Sequence, residues 1–164
     1  MAVLTFSART AWAKYLLSRP LHLAIGPGDK NWGDVPEPAD YEAEALIKEI
    51  GRKKLSRGFF VNENDNGEIK MPGGRRYSYS EKPTRQLYLY FDFDYGEGVA
   101  ELIREIGIFV DTEVKSGLPA NQTFFTPENI KSPGILIMLE HLEKLDAATF
   151  TPNKRGSYAT ILTV

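Results

Sequence analysis

The chain has 164 residues, of which 42% are hydrophobic and 26% are charged, and its formal net charge is −2. These values predict a single soluble globular domain with its own core, and they exclude a general electrostatic attraction to nucleic acid or to anionic membranes. The chain contains no cysteine, which excludes disulfides, thiolate metal ligands and cysteine nucleophiles.

The N-terminal segment predicts a helix and not a targeting signal. Ser7 is a suitable N-cap, apolar residues recur at helical spacing over residues 8–18, and Pro20 ends the pattern. The segment lacks the continuous apolar stretch of a secretion signal. No apolar run in the chain approaches the roughly 20 residues that a membrane-spanning helix requires. We therefore expect a protein that folds in the cytoplasm and has no membrane partner.

Strand patterns follow the helix. Residues 21–26 alternate, with leucine and isoleucine on one face and His22 on the other, and a loop rich in glycine and proline follows at 26–41. Residues 42–50 predict two turns of helix, and the following basic segment predicts a strand. The Asn66-Gly67 pair is a strong hairpin signal.

The second half of the chain is also rich in strand patterns. Residues 87–93 alternate, with two leucines and two phenylalanines sharing one face. A second long loop is expected at 117–134, and the two last apolar segments predict strands that pair with each other. The fold class is therefore predicted as α+β, mainly antiparallel β-sheet with an N-terminal helix, in one domain over 1–164.

The acidic and histidine residues are candidates for a catalytic or metal site. Asp92 and Asp94 share one strand face and offer oxygen ligands, and His22 and His141 are the two histidines. No motif supplies a nucleophile, a base or a third firm ligand, so we expect surface or interface histidines and no enzyme, metal or cofactor. A small metal-dependent enzyme around Asp92 and Asp94 is the alternative.

A basic stretch offers a different alternative. It contains four cations within six residues, namely Arg52, Lys53, Lys54 and Arg57. Such a patch suits nucleic-acid phosphates, an acidic protein partner, or the solvent-exposed edge of a sheet. The balanced net charge favours the exposed edge, and no nucleic-acid partner is expected.

One short phrase occurs twice, as LIKEIG at 46–51 and LIREIG at 102–107. Both occurrences predict a corner between a helix and a strand, with a bend at Gly51 or Gly107. Glu105 follows Arg104 beside an apolar run, so we expect it to be partly buried and paired with Arg52 or Arg104. Glu49 is its counterpart in the first phrase. Coincidence is the alternative.

The order of these segments resembles the N-terminal baseplate-attachment domain of phage tail-fibre proteins. That domain has a helix, a short strand with a glycine-rich loop, a segment ending in NEI-R, an aromatic strand and a signature close to IREIGLF. The corresponding segments here lie within residues 5–115 and include ALIKEIGRKKL and LIREIGIFVD. Lys48 stands where the family tends to have asparagine, and we expect no fibre shaft after Val164. A stand-alone baseplate component or fibre connector fits this length better.

The resemblance implies a structural, non-enzymatic protein of the virion baseplate that is assembled in the host cytoplasm. It would connect the baseplate with tail fibres or with neighbouring wedge proteins, in several copies within a symmetric assembly. The residues expected at its protein interfaces lie in the two long loops and in the basic stretch, and are Trp32, Asp34, Phe124, Phe125, Arg52 and Lys53.

Overall fold

A computed structural model describes residues 1–98, 102–143 and 156–164. Helix α1 spans Phe6–Leu17, and a short 3₁₀-helix spans Pro127–Asn129. The strands are β1 (Leu21–Gly26), β2 (Gly51–Lys54), β3 (Arg57–Glu63), β4 (Ile69–Lys70), β5 (Arg76–Tyr79), β6 (Gln86–Phe93), β7 (Glu105–Val110), β8 (Glu113–Val114), β9 (Phe124–Phe125), β10 (Ile130–Ser132), β11 (Ile135–His141) and β12 (Gly156–Thr163). Every pair whose register is described is antiparallel, which confirms the predicted α+β class.

The chain divides into two compact units. The first contains Met1–Arg19, Ser56–Tyr90 and Tyr158–Val164, and the second contains Pro20–Leu55 and Phe91–Ser157. The single domain expected from the sequence stays a prediction, because compactness alone does not decide whether a unit folds independently.

Helix α1 of the first unit begins earlier than its sequence predicts. The hydroxyl of Thr5 accepts the N–H of Ala8 at 3.2 Å, so Thr5 and not Ser7 is the N-cap. The helix ends at Leu17, and Ser18, two residues before Pro20, is its C-cap. Leu16 is buried, whereas Trp12 and Tyr15 are about half exposed, so the apolar stripe is only partly core.

The sheet of the first unit has the strand order β12-β6-β3-β5-β4. In β6 every second residue is buried, which confirms the alternation predicted for 87–93. The Asn66-Gly67 hairpin prediction is wrong, because β3 and β4 on either side of this turn are not neighbours and each pairs with β5. Gly67 instead lies against the backbone of Tyr77, where a Cβ atom would overlap it.

The larger sheet of the second unit has the order β11-β7-β1-β2-β9. All residues of β1 and β7 are buried, so both faces of these central strands are covered. The predicted pairing of the last two strands is wrong, because β11 pairs with β7 while β12 belongs to the other sheet.

The two long connections of the second unit differ from their predictions. Residues 42–50 form turns and bends instead of a helix, so the first connection runs without helix or strand from 27 to 50. The second, expected as a loop over 117–134, contains β9, the 3₁₀-helix and β10. We call residues 27–50 the anchored loop, for the contacts described next.

Candidate protein-interaction site

Glu105, the first residue of β7, holds the anchored loop from inside the second unit. Its side chain is 0% exposed, and its two carboxylate oxygens accept the backbone N–H of Ile47 at 2.9 and 3.0 Å. Nε2 of His141 lies 3.5 Å from Oε1 and forms an ion pair with it when the imidazole is protonated. Burial was predicted, but Arg52 and Arg104 are not its partners. In a helix over 42–50, the N–H of Ile47 would instead donate to a backbone carbonyl of the same helix.

Arg104 fixes a second point of the anchored loop. Its guanidinium donates to the carbonyl oxygens of Trp32 at 3.2 Å and of Asp34 at 3.1 Å, and its Nε donates to the carbonyl of Leu142 at 3.4 Å. The guanidinium carbon also lies 5.6 Å from the centroid of the Trp32 ring. Arg104 is nearly buried, so these carbonyls take the place of water around its charge.

His141, at the end of β11, fixes a third point. Its Nδ1 lies 2.7 Å from the carbonyl oxygen of Glu37, which can only accept, so Nδ1 carries the proton and donates. Its ring packs on the indole of Trp32 with 4.4 Å between centroids. Trp32 is therefore half-buried between Arg104 and His141.

Arg52 secures the end of the loop. It is 3% exposed, and its Nε and Nη2 bind both oxygens of Glu49 at 2.6 and 3.0 Å. Its Nη1 donates to Thr112 Oγ1 at 2.8 Å and to the Pro133 carbonyl at 2.5 Å. The guanidinium lies 3.7 Å above the centroid of the Phe109 ring. A buried guanidinium with this set of partners is a structural element of the unit and not an open cation.

The anchored loop holds three large apolar side chains at the surface of the second unit. Val35 is 68% exposed, Tyr41 95% and Ile47 58%. Because buried charged groups fix the backbone beside them, the loop presents these side chains in a defined arrangement. Exposed aromatic and aliphatic groups on an ordered surface are typical of protein contact sites.

A comparison with protein families identifies the chain. The family model described as "Baseplate wedge 3 tail fiber network component" matches residues 1–164. The chain belongs to this family. A search of curated proteins found no match.

This baseplate wedge component is thus a structural protein of the phage tail baseplate and interacts with other baseplate proteins, as the resemblance implied. Throughout the described chain, every helix is too short or too polar to reach across a bilayer.

The repeated phrase of the wedge component has a topological explanation. The first copy leads into β2 and the second into β7, and these two strands flank β1 on its two sides. The predicted helix-to-strand corner is wrong for the first copy, since residues 42–50 form turns and bends. In the second copy residues 102–104 are not helical, and the residues directly before them lie outside the described ranges. Each glutamate is paired internally, but differently: Glu105 accepts a backbone N–H, and Glu49 binds Arg52.

The glycines of the two phrases lie where neighbours approach closely. A Cβ atom at Gly51 would overlap the ring of Phe124. At Gly107 it would lie 2.7 Å from a methyl carbon of Leu46 and 2.8 Å from one of Leu136. The structural roles expected for Glu49, Gly51, Arg104, Glu105 and Gly107 stay predictions, which the stability measurements below address.

The four cations of the basic stretch do not form one exposed patch. Lys53 is 3% exposed, like Arg52, and its ammonium group contacts Glu97 at 2.5 Å and Thr123 Oγ1 at 2.9 Å. Lys54 and Arg57 are exposed. Because two of its four cations are buried and paired, the proposed nucleic-acid surface loses its main support, and Arg52 and Lys53 are poorly placed as interface residues.

The predicted contact residues differ in exposure. Asp34 is exposed and Trp32 is half-buried. Phe124 is also half-buried, with its ring 6.3 Å from that of Phe93, whereas Phe125 is 5% exposed. The expectation that Phe125 is an exposed anchor is therefore wrong, because β9 places it against β2. Contact roles for Trp32, Asp34 and Phe124 stay predictions.

The carboxylates considered for a metal site do not form one. Asp94 lies 3.9 Å from the ammonium group of Lys53, and its backbone N–H donates to Glu97. Across the described ranges there is no cluster of three or more histidine, aspartate or glutamate residues that could hold a metal ion. The metal-dependent alternative around Asp92 and Asp94 therefore gains no support.

The sequence predicts a surface or interface position for His22. Its side chain is buried, so the surface position is wrong, and an interface role stays a prediction. Burial, together with the positive charges of Arg52 and Lys54, lowers its pKa from 6.5 to about 4. The sequence pattern missed this because both faces of β1 are covered. It also missed His141 and Ile47 as anchors, since their partners lie 104 and 58 residues away and leave no local signal.

Proposed function

We propose that this chain connects the baseplate to tail fibres or to neighbouring wedge proteins, and that the anchored loop is one of its contact surfaces. It acts by binding and not by catalysis. The observation that carries the proposal has two parts. Buried side chains hold an irregular loop of 24 residues in place, and the same loop exposes Val35, Tyr41 and Ile47 to solvent.

The anchors matter for affinity because binding is opposed by the entropy of ordering. Fixing the backbone of one residue costs roughly 1–2 kcal/mol. Here Glu105, Arg104 and His141 fix the loop within the chain itself. A partner therefore meets a preorganised surface, and the burial of Tyr41 and Val35 contributes directly to binding.

The proposed setting is a symmetric particle assembled in the host cytoplasm. A closed ring of wedges requires repeated copies, each making the same contacts. We expect the chain in purified tails at a fixed multiple of three or six copies, measured by quantitative mass spectrometry. Absence of the chain from tails would overturn the proposal.

The loop itself is tested by a double variant, Val35→Ser with Tyr41→Ala, supplied to a phage that lacks the wild-type gene. We expect its copy number in purified tails to fall at least tenfold. The matched control is Tyr95→Ala, since Tyr95 is 74% exposed but lies outside the loop.

Both proteins should keep the wild-type melting temperature, because both change exposed side chains. Wild-type incorporation of the double variant, or equal losses for it and the control, would contradict a contact role for the loop.

A further inference from the structure

A cavity of about 450 Å³ opens beside the first residues of β1 in the second unit. Its walls are partly polar and partly apolar, and the apolar part includes Leu118, Pro119 and Phe125. The described residues that line it include two cations, Lys54 and Lys115, and no carboxylate. Its volume falls in the range of about 300–1,000 Å³ that is usual for binding sites.

A buried polar group lies in the wall of this cavity. His22 is 4% exposed, and its Nδ1 has no hydrogen-bond partner among the described residues. Its ring meets the edge of Phe125 with 5.8 Å between centroids. Buried polar atoms are nearly always paired, so this wall of the cavity carries an unsatisfied polar group.

The state of His22 limits what that partner can be. With its pKa lowered to about 4, the imidazole is neutral at neutral pH and offers one N–H donor and one acceptor. The cations Lys54 and Lys115 are exposed and form no ion pair with a described carboxylate. Two ammonium groups around a partly apolar cleft match a carboxylate on a short apolar stem.

We propose that this cavity receives an aspartate or glutamate side chain of another baseplate protein, with its carboxylate bound by Lys54 and Lys115 beside the His22 ring. The apolar part of the lining, which includes Leu118 and Phe125, favours a peptide over a phosphodiester, because it would cover the methylene groups beside the carboxylate. The inference rests on the proposed function, since it assigns the partner chemistry of a second contact surface.

The test is zero-length cross-linking of assembled tails. A carbodiimide activates a carboxylate as an O-acylisourea, and the deprotonated amine of a lysine in direct contact with it displaces a urea to form an amide bond. Purified wild-type tails are treated with the carbodiimide alone, digested and analysed by mass spectrometry. We expect Lys54 or Lys115 in an isopeptide bond with an aspartate or glutamate of a different baseplate protein.

Charge reversal gives the matched control. Lys54→Glu with Lys115→Glu should lower incorporation into tails at least tenfold, whereas Lys70→Glu with Lys82→Glu, which makes the same charge change at exposed lysines elsewhere, should not. Cross-links from Lys54 and Lys115 only to a second copy of this chain, or none in tails that contain the chain, would overturn the inference. Tails that lack the chain would instead contradict the proposed function.

Discussion

Glu105 shows how a single charged residue can organise a segment that is distant in sequence. Its carboxylate is fully buried and is satisfied by the backbone N–H of Ile47. A buried carboxylate is stable only while such donors are present, and the Ile47 end of the loop loses this anchor when the carboxylate is removed. The residue thus links the order of the anchored loop to the core of the second unit.

The first prediction concerns this residue. Glu105→Leu removes the acceptor of the Ile47 N–H and should lower the free energy of unfolding by about 3 kcal/mol. Glu105→Gln keeps an amide oxygen that can accept the same N–H and should cost about half as much. Urea denaturation measures both, with Glu44→Gln, an exposed position in the same loop, as a control expected to be neutral. Equal stability of wild type and Glu105→Leu would rule out the anchoring role.

The second prediction concerns His22 and pH. Its pKa is about 4 in the folded chain and about 6.5 when unfolded, so between these values the unfolded state binds more protons. The titration of His22 therefore leaves the free energy of unfolding unchanged above pH 6.5. As the pH falls from 6.5 towards 4, it lowers the free energy of unfolding progressively, by about 3 kcal/mol in all. The charges that face His22 are Arg52 and Lys54, and both oppose its protonation.

The measurement is the free energy of unfolding of the isolated chain between pH 7.5 and pH 4.5. We expect His22→Asn to show a shallower decline than wild type, since asparagine does not titrate. Parallel curves for the two proteins would show that His22 is not the titrating group.

At the scale of elements, strand patterns were reliable and connections were not. The alternation in β6 depends on residues adjacent in sequence, and it was predicted correctly. The helix over 42–50 was not formed, because Ile47 donates to Glu105 and Ile50 donates to the carbonyl of Ile25 at 2.9 Å. Bonds to distant residues overrode a local propensity.

The turn at Asn66-Gly67 failed as a hairpin signal for a related reason. Gly67 is required by the close approach of the Tyr77 backbone and not by the turn itself. The sequence does not show whether a glycine is needed for a turn or for the close approach of another backbone segment. The strand order beyond the turn could therefore not be inferred.

The third prediction tests a close approach in the larger sheet. Gly26 ends β1, and a Cβ atom there would overlap the backbone carbonyl of Lys48 in the anchored loop. Gly26→Ala should therefore lower the free energy of unfolding by about 2 kcal/mol or more, since backbone cannot move aside as a side chain can. Gly33→Ala, where a Cβ would meet open space, should change it by less than about 0.5 kcal/mol. Thermal unfolding of the two variants at pH 7.5 measures the difference, and a neutral Gly26→Ala would contradict the packing described.

At the scale of the whole molecule, the family could be inferred from the order of several short phrases, whereas the contact surfaces could not. The repeated phrase marks the two neighbours of β1, but nothing in its letters distinguishes the glutamate that binds a backbone N–H from the one that binds Arg52. Likewise, the cluster of basic residues gave no sign that Arg52 and Lys53 are buried. Burial and partner choice are properties of the assembled sheet.

The position of the loop anchors along the chain has a consequence for synthesis. Arg104, Glu105 and His141 follow the loop that they hold by roughly 60 to 100 residues, which at about 5–20 residues per second is many seconds of translation. A nascent chain on the ribosome therefore carries residues 27–50 before these three anchors can hold them. The contact surface proposed above is fully anchored only when His141 has left the exit tunnel.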